Sequence, residues 1–152
     1  MNPATIEFNF TEIEVIKKYY DENTQINGDE VKFSQVLLNI INNAKDVLIS
    51  QPTDARFLII NTYVKANKTI IEVCDNGGGI DEFIISKIFE PYFTTKHQSQ
   101  GTGIGLFMCK EIINKHMNGQ LNISNQSFEY KNKIYKGTLT RISLENIVIE
   151  VQ

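Results

Sequence analysis

The stretch Ile70-Ile71-Glu72-Val73-Cys74-Asp75-Asn76-Gly77-Gly78-Gly79 joins an apolar run to a carboxylate and three glycines. The run is rich in β-branched residues, which is typical of a strand. A strand that ends in this way places an acceptor-only side chain at a sheet edge, beside backbone that another molecule can approach closely. The acceptor suits the amino group of a purine. Asp, Asn and Gly also dominate ordinary tight turns, so a plain turn is the alternative.

A second glycine group, Gly101-Thr102-Gly103-Ile104-Gly105-Leu106, lies between a polar stretch and a helical pattern. Backbone N–H groups at a helix start can face an anion, and the helix dipole favours phosphate there. The group lacks the lysine of a P-loop and the sixth-position glycine of dinucleotide-binding and protein-kinase loops. It therefore predicts either an unusual phosphate site or a set of flexible hinge glycines.

Between Glu30 and Ser50, apolar residues recur at spacings of three and four, which predicts one long helix with a buried face. An amide-rich stripe lies within an arc of about 100° on the other side of this helix. Its members are Gln35, Asn39, Asn42, Asn43 and Asp46. Amide oxygens are good neutral ligands for Mg²⁺. The alternative is a solvated surface in an Asn-rich protein.

The rest of the chain predicts one domain, residues 1–152, of the α+β class: a two-layer sandwich with helices on one face of a mixed sheet. A strand is expected at Ile6–Phe10, and a short helix at about Glu12–Tyr20. The remaining expected elements are a hairpin of Phe57–Lys65 and Thr69–Cys74, a short helix at Asp81–Phe89, a mobile loop at Glu90–Thr102, a helix at Gly103–Met117 capped by Gly119, and closing strands at Leu121–Ser124, Lys133–Tyr135 and Thr138–Leu144.

Charge and composition exclude several classes of protein. Fifteen basic and eighteen acidic residues give a formal net charge of -3, which disfavours nucleic acid as the main partner. No apolar run approaches the roughly 20 residues that span a bilayer, and no signal-peptide pattern is present, so the chain is expected to be soluble. Cys74 and Cys109 lack metal-ligand spacing and are expected to be buried free thiols.

Four segments in order resemble the N, G1, F and G2 boxes of sensor histidine kinases. They are Asn39–Ala44, Asp75–Gly79, Phe89–Lys96 and Gly101–Leu106. The resemblance covers about Gly28 to Leu144, and the chain looks like the catalytic, ATP-binding domain of these enzymes. That domain has the GHKL or Bergerat fold, which it shares with the ATPase subunit of DNA gyrase, a heat-shock chaperone and a mismatch-repair protein.

The resemblance implies a role for each box in binding ATP and Mg²⁺. Asn43 matches the Mg²⁺ ligand, Asn39 its companion near the phosphates, and Asp75 the acceptor for the adenine amino group. Phe93–Gly101 corresponds to a lid over the nucleotide, for which Lys96 is a candidate phosphate contact. The full implied binding set is Asn39, Asn43, Asp46, Asp75, Gly77, Gly79, Ile80, Phe89, Phe93, Thr94, Lys96, Gly101, Thr102, Gly103, Ile104, Gly105 and Leu106.

One position separates this chain from its ATP-hydrolysing relatives. Those relatives resemble it at the N box but carry a Glu, four residues before the Mg²⁺ ligand, as the base that activates water. Here that position is Asn39, which takes no proton at neutral pH. The resemblance therefore implies phosphoryl transfer, with Asn39 and Asn43 as the catalytic residues. An anti-sigma-type serine kinase and a non-catalytic nucleotide-binding module are the alternatives.

The helical hairpin that carries the phosphoacceptor His in complete histidine kinases is not found, because neither His97 nor His116 begins a dimerisation helix. The chain is expected to be a cytoplasmic fragment of a longer protein, and the family includes proteins that are anchored in the inner membrane. Its implied partners are the His of its own dimerisation domain, in the same or the paired chain, and a response regulator. Residues 1–28 have no assigned role, and Glu145–Gln152 is expected to be an extra strand or a tail.

Overall fold

The computed structural model describes residues 13–19, 25–50, 55–93 and 105–147, and these contain a five-stranded mixed sheet. Its strands are β1 (Glu14–Lys18), β2 (Phe57–Lys65), β3 (Lys68–Asp75), β4 (Gln120–Tyr130) and β5 (Lys133–Glu145), in the spatial order β1-β2-β3-β5-β4. β1 runs parallel to β2, and every other neighbouring pair is antiparallel.

Helices cover one face of the sheet. They are α1 (Glu30–Ser50), the short α2 (Glu82–Ile85) and α3 (Gly105–Glu111), which continues as a π-helical turn over Ile112–His116. The core contains Phe33, Val36, Ile40, Ile41, Ala44 and Leu48 of α1 against Leu58, Ile60, Ile71, Val73, Leu121, Ile142 and Leu144 of the sheet. The predicted α+β two-layer fold and the predicted bounds of α1 are confirmed. Within the described ranges, no helix has the length and apolar content to cross a membrane.

The expected helix at Glu12–Tyr20 is wrong, because Glu14–Lys18 forms β1. Its pairing with β2 begins at Glu14 opposite Phe57. Val15 packs partly buried against the core, and Val15 and Ile16 are β-branched residues that suit a pleated surface better than a helix. The tertiary pairing therefore outweighs a weak helical pattern. The expected strand at Ile6–Phe10 lies outside the described residues.

The expected break between two strands at Gly137 is also wrong, because β5 runs without interruption from Lys133 to Glu145. The glycine permits a close approach of two backbones instead: a Cβ at Gly137 would lie 1.5 Å from the carbonyl oxygen of Asp75. Glycine in a strand interior is typical of such a contact. β4 is likewise longer than predicted and ends at Tyr130.

The far end of the β4–β5 hairpin, residues 126–137, reaches strands that are not its neighbours in the sheet. The ring of Phe57 on β2 makes edge contacts with Tyr130 and Tyr135, at centroid distances of 4.7 and 5.0 Å. The hydroxyl of Tyr130 donates a hydrogen bond of 2.8 Å to Glu14 on β1. The hairpin therefore ties the two ends of the sheet order together.

Smaller differences concern the ends of elements. Only Glu82–Ile85 of the predicted Asp81–Phe89 segment is α-helical, with Asp81 as its N-cap. After the π-helical turn, Asn118 has a φ of 52° and takes the left-handed position that was expected of Gly119. Gly119 still closes the helix, since its N–H bonds to the carbonyl of Ile113 at 2.8 Å. Cys74 and Cys109 are buried free thiols, as predicted.

We expect Gly137→Ala to lower the free energy of unfolding by at least about 3 kcal/mol, because its Cβ cannot fit against the Asp75 carbonyl without a backbone shift. Urea denaturation monitored by circular dichroism measures this loss. Gly78→Ala is the control: it has a φ of 90° but nothing within 4 Å of an added Cβ. It should cost only about 1 to 2 kcal/mol from backbone strain. Equal costs for the two variants would contradict the close-approach argument.

Candidate functional site

Asp75 is the last residue of β3 and lies on the helix-covered side of the sheet, where its side chain is 5% exposed. Its Oδ1 accepts a hydrogen bond of 2.9 Å from the N–H of Gly77, and the backbone N–H of Thr138 on β5 also donates to the carboxylate. The structure therefore holds a single carboxylate in a fixed orientation at the end of a central strand.

Burial raises the pKa of the Asp75 carboxyl from 3.8 to about 6, and the N–H groups of Gly77 and Thr138 partly offset this by favouring the charged form. A carboxylate held at such a cost in a fixed position is a candidate for ligand recognition. The neighbouring thiol of Cys74 is different, since burial and the charges of Asp75 and Glu72 raise its pKa to about 12. Cys74 is therefore not a nucleophile at neutral pH.

Asn76 is adjacent to Asp75 in sequence but serves the sheet. Its Oδ1 accepts from the N–H of Phe57 at 2.8 Å, and its Nδ2 donates to the carbonyl of Ala55 at 2.9 Å. Both ends of the amide thus anchor the start of β2. Asp75 is therefore the candidate site residue of this pair, and Asn76 has a structural role.

Two amides of the predicted stripe meet the second glycine group. Nδ2 of Asn43 donates to Oδ1 of Asn39 at 3.2 Å, one helical turn away. A Cβ at Gly105, the first residue of α3, would lie 2.5 Å from Nδ2 of Asn39. The hydrogen bond turns the amino group of Asn43 toward Asn39, so the Asn43 amide oxygen faces away from that partner.

The first glycine group contacts the same face of α1, nearer its C-terminal end. A Cβ at Gly77 would lie 2.5 Å from Cγ1 of Val47. Asn39, Asn43 and Val47 are spaced by four residues and therefore share one face of α1. The two glycine groups contact α1 at positions eight residues apart, which is about 12 Å along the helix axis. Asn43 lies between them.

The structure describes the other predicted site residues unevenly. Phe89 is partly buried against the core, with Nζ of Lys110 4.4 Å from its ring centroid, so it joins the F-box segment to α3. Phe93 and Leu106 are half-buried, and Asp46 is exposed on α1. Thr94, Lys96, Gly101, Thr102, Gly103 and Ile104 lie outside the described residues.

Three residues of β4 and β5 near the site were not predicted from the sequence. The backbone N–H of Thr138 donates a hydrogen bond to Asp75, and Gly137 lies against the backbone carbonyl of Asp75. Asn125 on β4 binds the backbone of Ile80 through both the oxygen and the nitrogen of its side-chain amide. Only Gly137 carried a signal, because a glycine inside a β-branched run marks a close backbone approach as well as a break. The contact of Thr138 is made by its backbone, which no residue type reveals.

A metal ion at this site would depend on amide oxygens. Within residues 13–19, 25–50, 55–93 and 105–147, no three His, Cys, Asp or Glu side chains are grouped so that they could hold one. The amide oxygen of Asn43 is a neutral oxygen ligand of the kind that Mg²⁺ accepts together with water and phosphate. The donor chemistry of the site therefore fits Mg²⁺ bound jointly by protein and a phosphorylated ligand.

The chain is similar to proteins of known class. The family described as histidine kinase-, DNA gyrase B-, and HSP90-like ATPase matches residues 28–146. A putative sensor protein of Shewanella frigidimarina is 35% identical over 122 residues, which are 80% of this chain and 17% of the relative. The signal transduction histidine-protein kinase AtoS of Escherichia coli is 36% identical over 104 residues, 68% of this chain and 16% of AtoS. The chain thus spans less than a fifth of each relative.

Solved structures agree with this assignment of the fold. The catalytic domain of histidine kinase ThkA, in a nucleotide-free form, superimposes with a TM-score of 0.70 at 26% identity. The match covers 88% of this chain and 79% of that domain.

Ionisation of Asp75 should make the stability of the protein depend on pH. Between about pH 4 and pH 6 the folded state binds more protons than the unfolded state, because the folded pKa is raised to about 6. The stability of the wild type relative to Asp75→Asn should therefore fall as pH rises through this window, by roughly 3 kcal/mol in total. Urea denaturation at several pH values measures the difference.

The matched control is Glu129→Gln, which removes an exposed carboxylate from β4. This variant should keep the pH dependence of the wild type. If Asp75→Asn and the wild type show the same dependence on pH, the buried carboxylate does not carry the effect.

Proposed function

Because the chain belongs to the family of histidine kinase-, DNA gyrase B-, and HSP90-like ATPases, we propose that it is the catalytic domain of a sensor histidine kinase. It binds ATP with Mg²⁺ and transfers the γ-phosphoryl group to a His on a dimerisation domain. The observation that carries this proposal is the line Asn39, Asn43 and Val47 on α1, which contacts both glycine groups. An extended nucleoside triphosphate would lie along that line.

The adenine end of the site is formed by Asp75 and the Gly77–Gly79 turn. The carboxylate accepts from the exocyclic amino group of adenine and so selects this base. The N–H of Gly77 already donates to Oδ1 of Asp75 at 2.9 Å. The base therefore has to approach the carboxylate from another direction. Ile80 follows the Gly77–Gly79 turn and extends this end of the site toward α2.

The phosphate end is formed by Asn39, Asn43 and Gly105, with the lid residues Thr94, Lys96, Gly101, Thr102, Gly103 and Ile104 completing it as the resemblance implies. Phe89 and Phe93 anchor the lid to the domain, and Leu106 continues its hinge into α3. Asp46 lies one turn beyond the amide pair on α1. When bound, Mg²⁺ would neutralise charge on the phosphate oxygens. Asn43 would hold it through its amide oxygen.

The residues of this chain position the reacting groups rather than exchange protons with them. Asn39 accepts no proton at neutral pH, so it cannot activate water as a general base. Its Oδ1 instead receives the hydrogen bond that orients Asn43. An incoming imidazole nitrogen is itself the nucleophile: its bond to the γ-phosphorus forms as the bond from that phosphorus to the β–γ bridging oxygen breaks and ADP leaves. The site aligns these groups and excludes water.

The partner that receives the phosphoryl group is the phosphoacceptor His of the protein's own dimerisation domain, in the same chain or in its dimer partner. A response regulator then takes the phosphoryl group from that His. Because the first step consumes ATP, the proposed activity requires the domain to be in the cytoplasm. The curated relatives support this proposal, because one is named a putative sensor protein and another a signal transduction histidine-protein kinase.

Asn43→Ala should weaken the Mg²⁺-dependent part of ATP binding by at least about tenfold, because the amide oxygen of Asn43 would no longer ligate the ion. Isothermal titration calorimetry with Mg²⁺ and with EDTA measures this part directly. Affinity in EDTA should stay near that of the wild type. The control is Asn42→Ala on the same helix, where the side chain is exposed. If Asn43→Ala keeps the full Mg²⁺ enhancement, the metal assignment is wrong.

The isolated chain should bind ATP without labelling itself. Incubation with γ-labelled ATP should leave no acid-labile label on it, since the reaction needs a phosphoacceptor His from another domain. Fusion to the dimerisation hairpin of a related sensor kinase should restore a label that is lost in acid and stable in base. A label stable in acid would indicate transfer to serine and overturn the histidine-kinase proposal.

A further inference from the structure

Asn125 lies on β4, opposite Thr138 of β5, and its side chain extends to the segment that follows the glycine turn. Its Oδ1 accepts from the N–H of Ile80 at 2.7 Å, and its Nδ2 donates to the carbonyl of Ile80 at 2.6 Å. Nδ2 also lies 3.3 Å from a carboxylate oxygen of Glu82 at the start of α2. One side chain thus satisfies both backbone groups of a single residue.

This pairing fixes the glycine turn more firmly than one hydrogen bond would. A primary amide carries a donor and an acceptor side by side, so it binds a residue as a neighbouring strand does. The amide also fills the space beside Gly79, where a Cβ would lie 2.8 Å from Oδ1 of Asn125. Asn125 therefore restrains the end of the turn that is farthest from Asp75.

The beginning of the turn has its own restraints. The N–H of Gly77 donates to Asp75, and the N–H of Gly78 donates to the carbonyl of Lys136 on β5 at 3.1 Å. The two described bonds of Asn125 to Ile80 complete the attachment on the other side. Because Gly78 and Gly79 have φ values of 90° and 87°, the turn has little intrinsic stiffness and depends on these attachments.

We propose that Asn125 is a positioning residue that sets the base selectivity of the nucleotide site. By holding Ile80, it keeps the turn in place, and through the N–H of Gly77 it keeps the Asp75 carboxylate aimed at one edge of the base. Selectivity for a 6-amino over a 6-oxo purine depends on that aim, because the carboxylate attracts an amino donor and repels an oxo acceptor. This inference rests on the proposed function.

Asn125→Asp tests the inference with little change of shape. It keeps an acceptor for the N–H of Ile80 but sets an oxygen against the carbonyl of Ile80 and the carboxylate of Glu82. The dissociation constants of ADP and IDP, measured by calorimetry with Mg²⁺, give the selectivity ratio. We expect the wild type to prefer ADP, and Asn125→Asp to lose about tenfold of this preference. A thermal melt reports folding in parallel.

A purely structural role would act differently. It would lower the melting temperature, or weaken ADP and IDP alike, and leave their ratio unchanged. That result overturns the inference. Asn122→Asp is the matched control, because Asn122 is exposed on the same strand opposite Arg141. The control should keep the wild-type ratio, and an equal loss of selectivity in it would also overturn the inference.

Three further cases complete the test. If Asn125→Asp does not fold, Asn125→Ala removes the amide without adding charge, and the same ratio is measured on that variant. If the wild type binds neither ADP nor IDP, the proposed function fails and the inference falls with it. If the wild type binds ADP selectively while both Asn125 variants keep that selectivity, the inference alone fails.

Discussion

The close passage of two backbones at Gly137 and Asp75 is the constraint on which the site depends. An added Cβ at Gly137 would lie 1.5 Å from the Asp75 carbonyl oxygen, so the two strands reach this distance only because position 137 lacks a side chain. The contact brings the N–H of Thr138 within reach of the carboxylate and the carbonyl of Lys136 within reach of Gly78. The orientation of the carboxylate and the course of the glycine turn both follow from the absence of one methyl group.

Burial raises the pKa of the Asp75 carboxyl, so above that pKa its charged form contributes unfavourably to the stability of the folded state. A carboxylate removed from water raises the free energy of its charged form, and two backbone donors repay only part of this cost. A ligand that donates a hydrogen bond to the carboxylate recovers more of it. A buried charge at a binding site is a common case in which stability is given up for function. The amide pair on α1 differs, because Asn39 and Asn43 already satisfy one of their hydrogen bonds with each other.

Local pattern predicted the parts of this fold that local forces determine. The bounds of α1 follow from a buried face with a period of 3.6 residues. The four boxes were identified differently, by their resemblance to those of sensor histidine kinases. β1 was missed because its strand conformation depends on pairing with β2, some forty residues later. The span of β5 was misjudged because a glycine inside an apparent strand can indicate either a break in the strand or a close approach of another backbone. Asn125 was not found because its role depends on which loop packs beside it, and tertiary structure alone decides this.

The bond between Tyr130 and Glu14 joins residues that are 116 positions apart, and this has a consequence for synthesis on the ribosome. The N-terminal part of a chain leaves the ribosome first. The segment of β1 emerges before β2, its partner in the sheet, and long before the hairpin that secures it through Tyr130. An unpaired strand edge is a template for pairing with other chains. Lys17 and Lys18 place positive charge on this segment before β2 and the hairpin have been synthesised, and charge on a strand edge disfavours pairing with other chains.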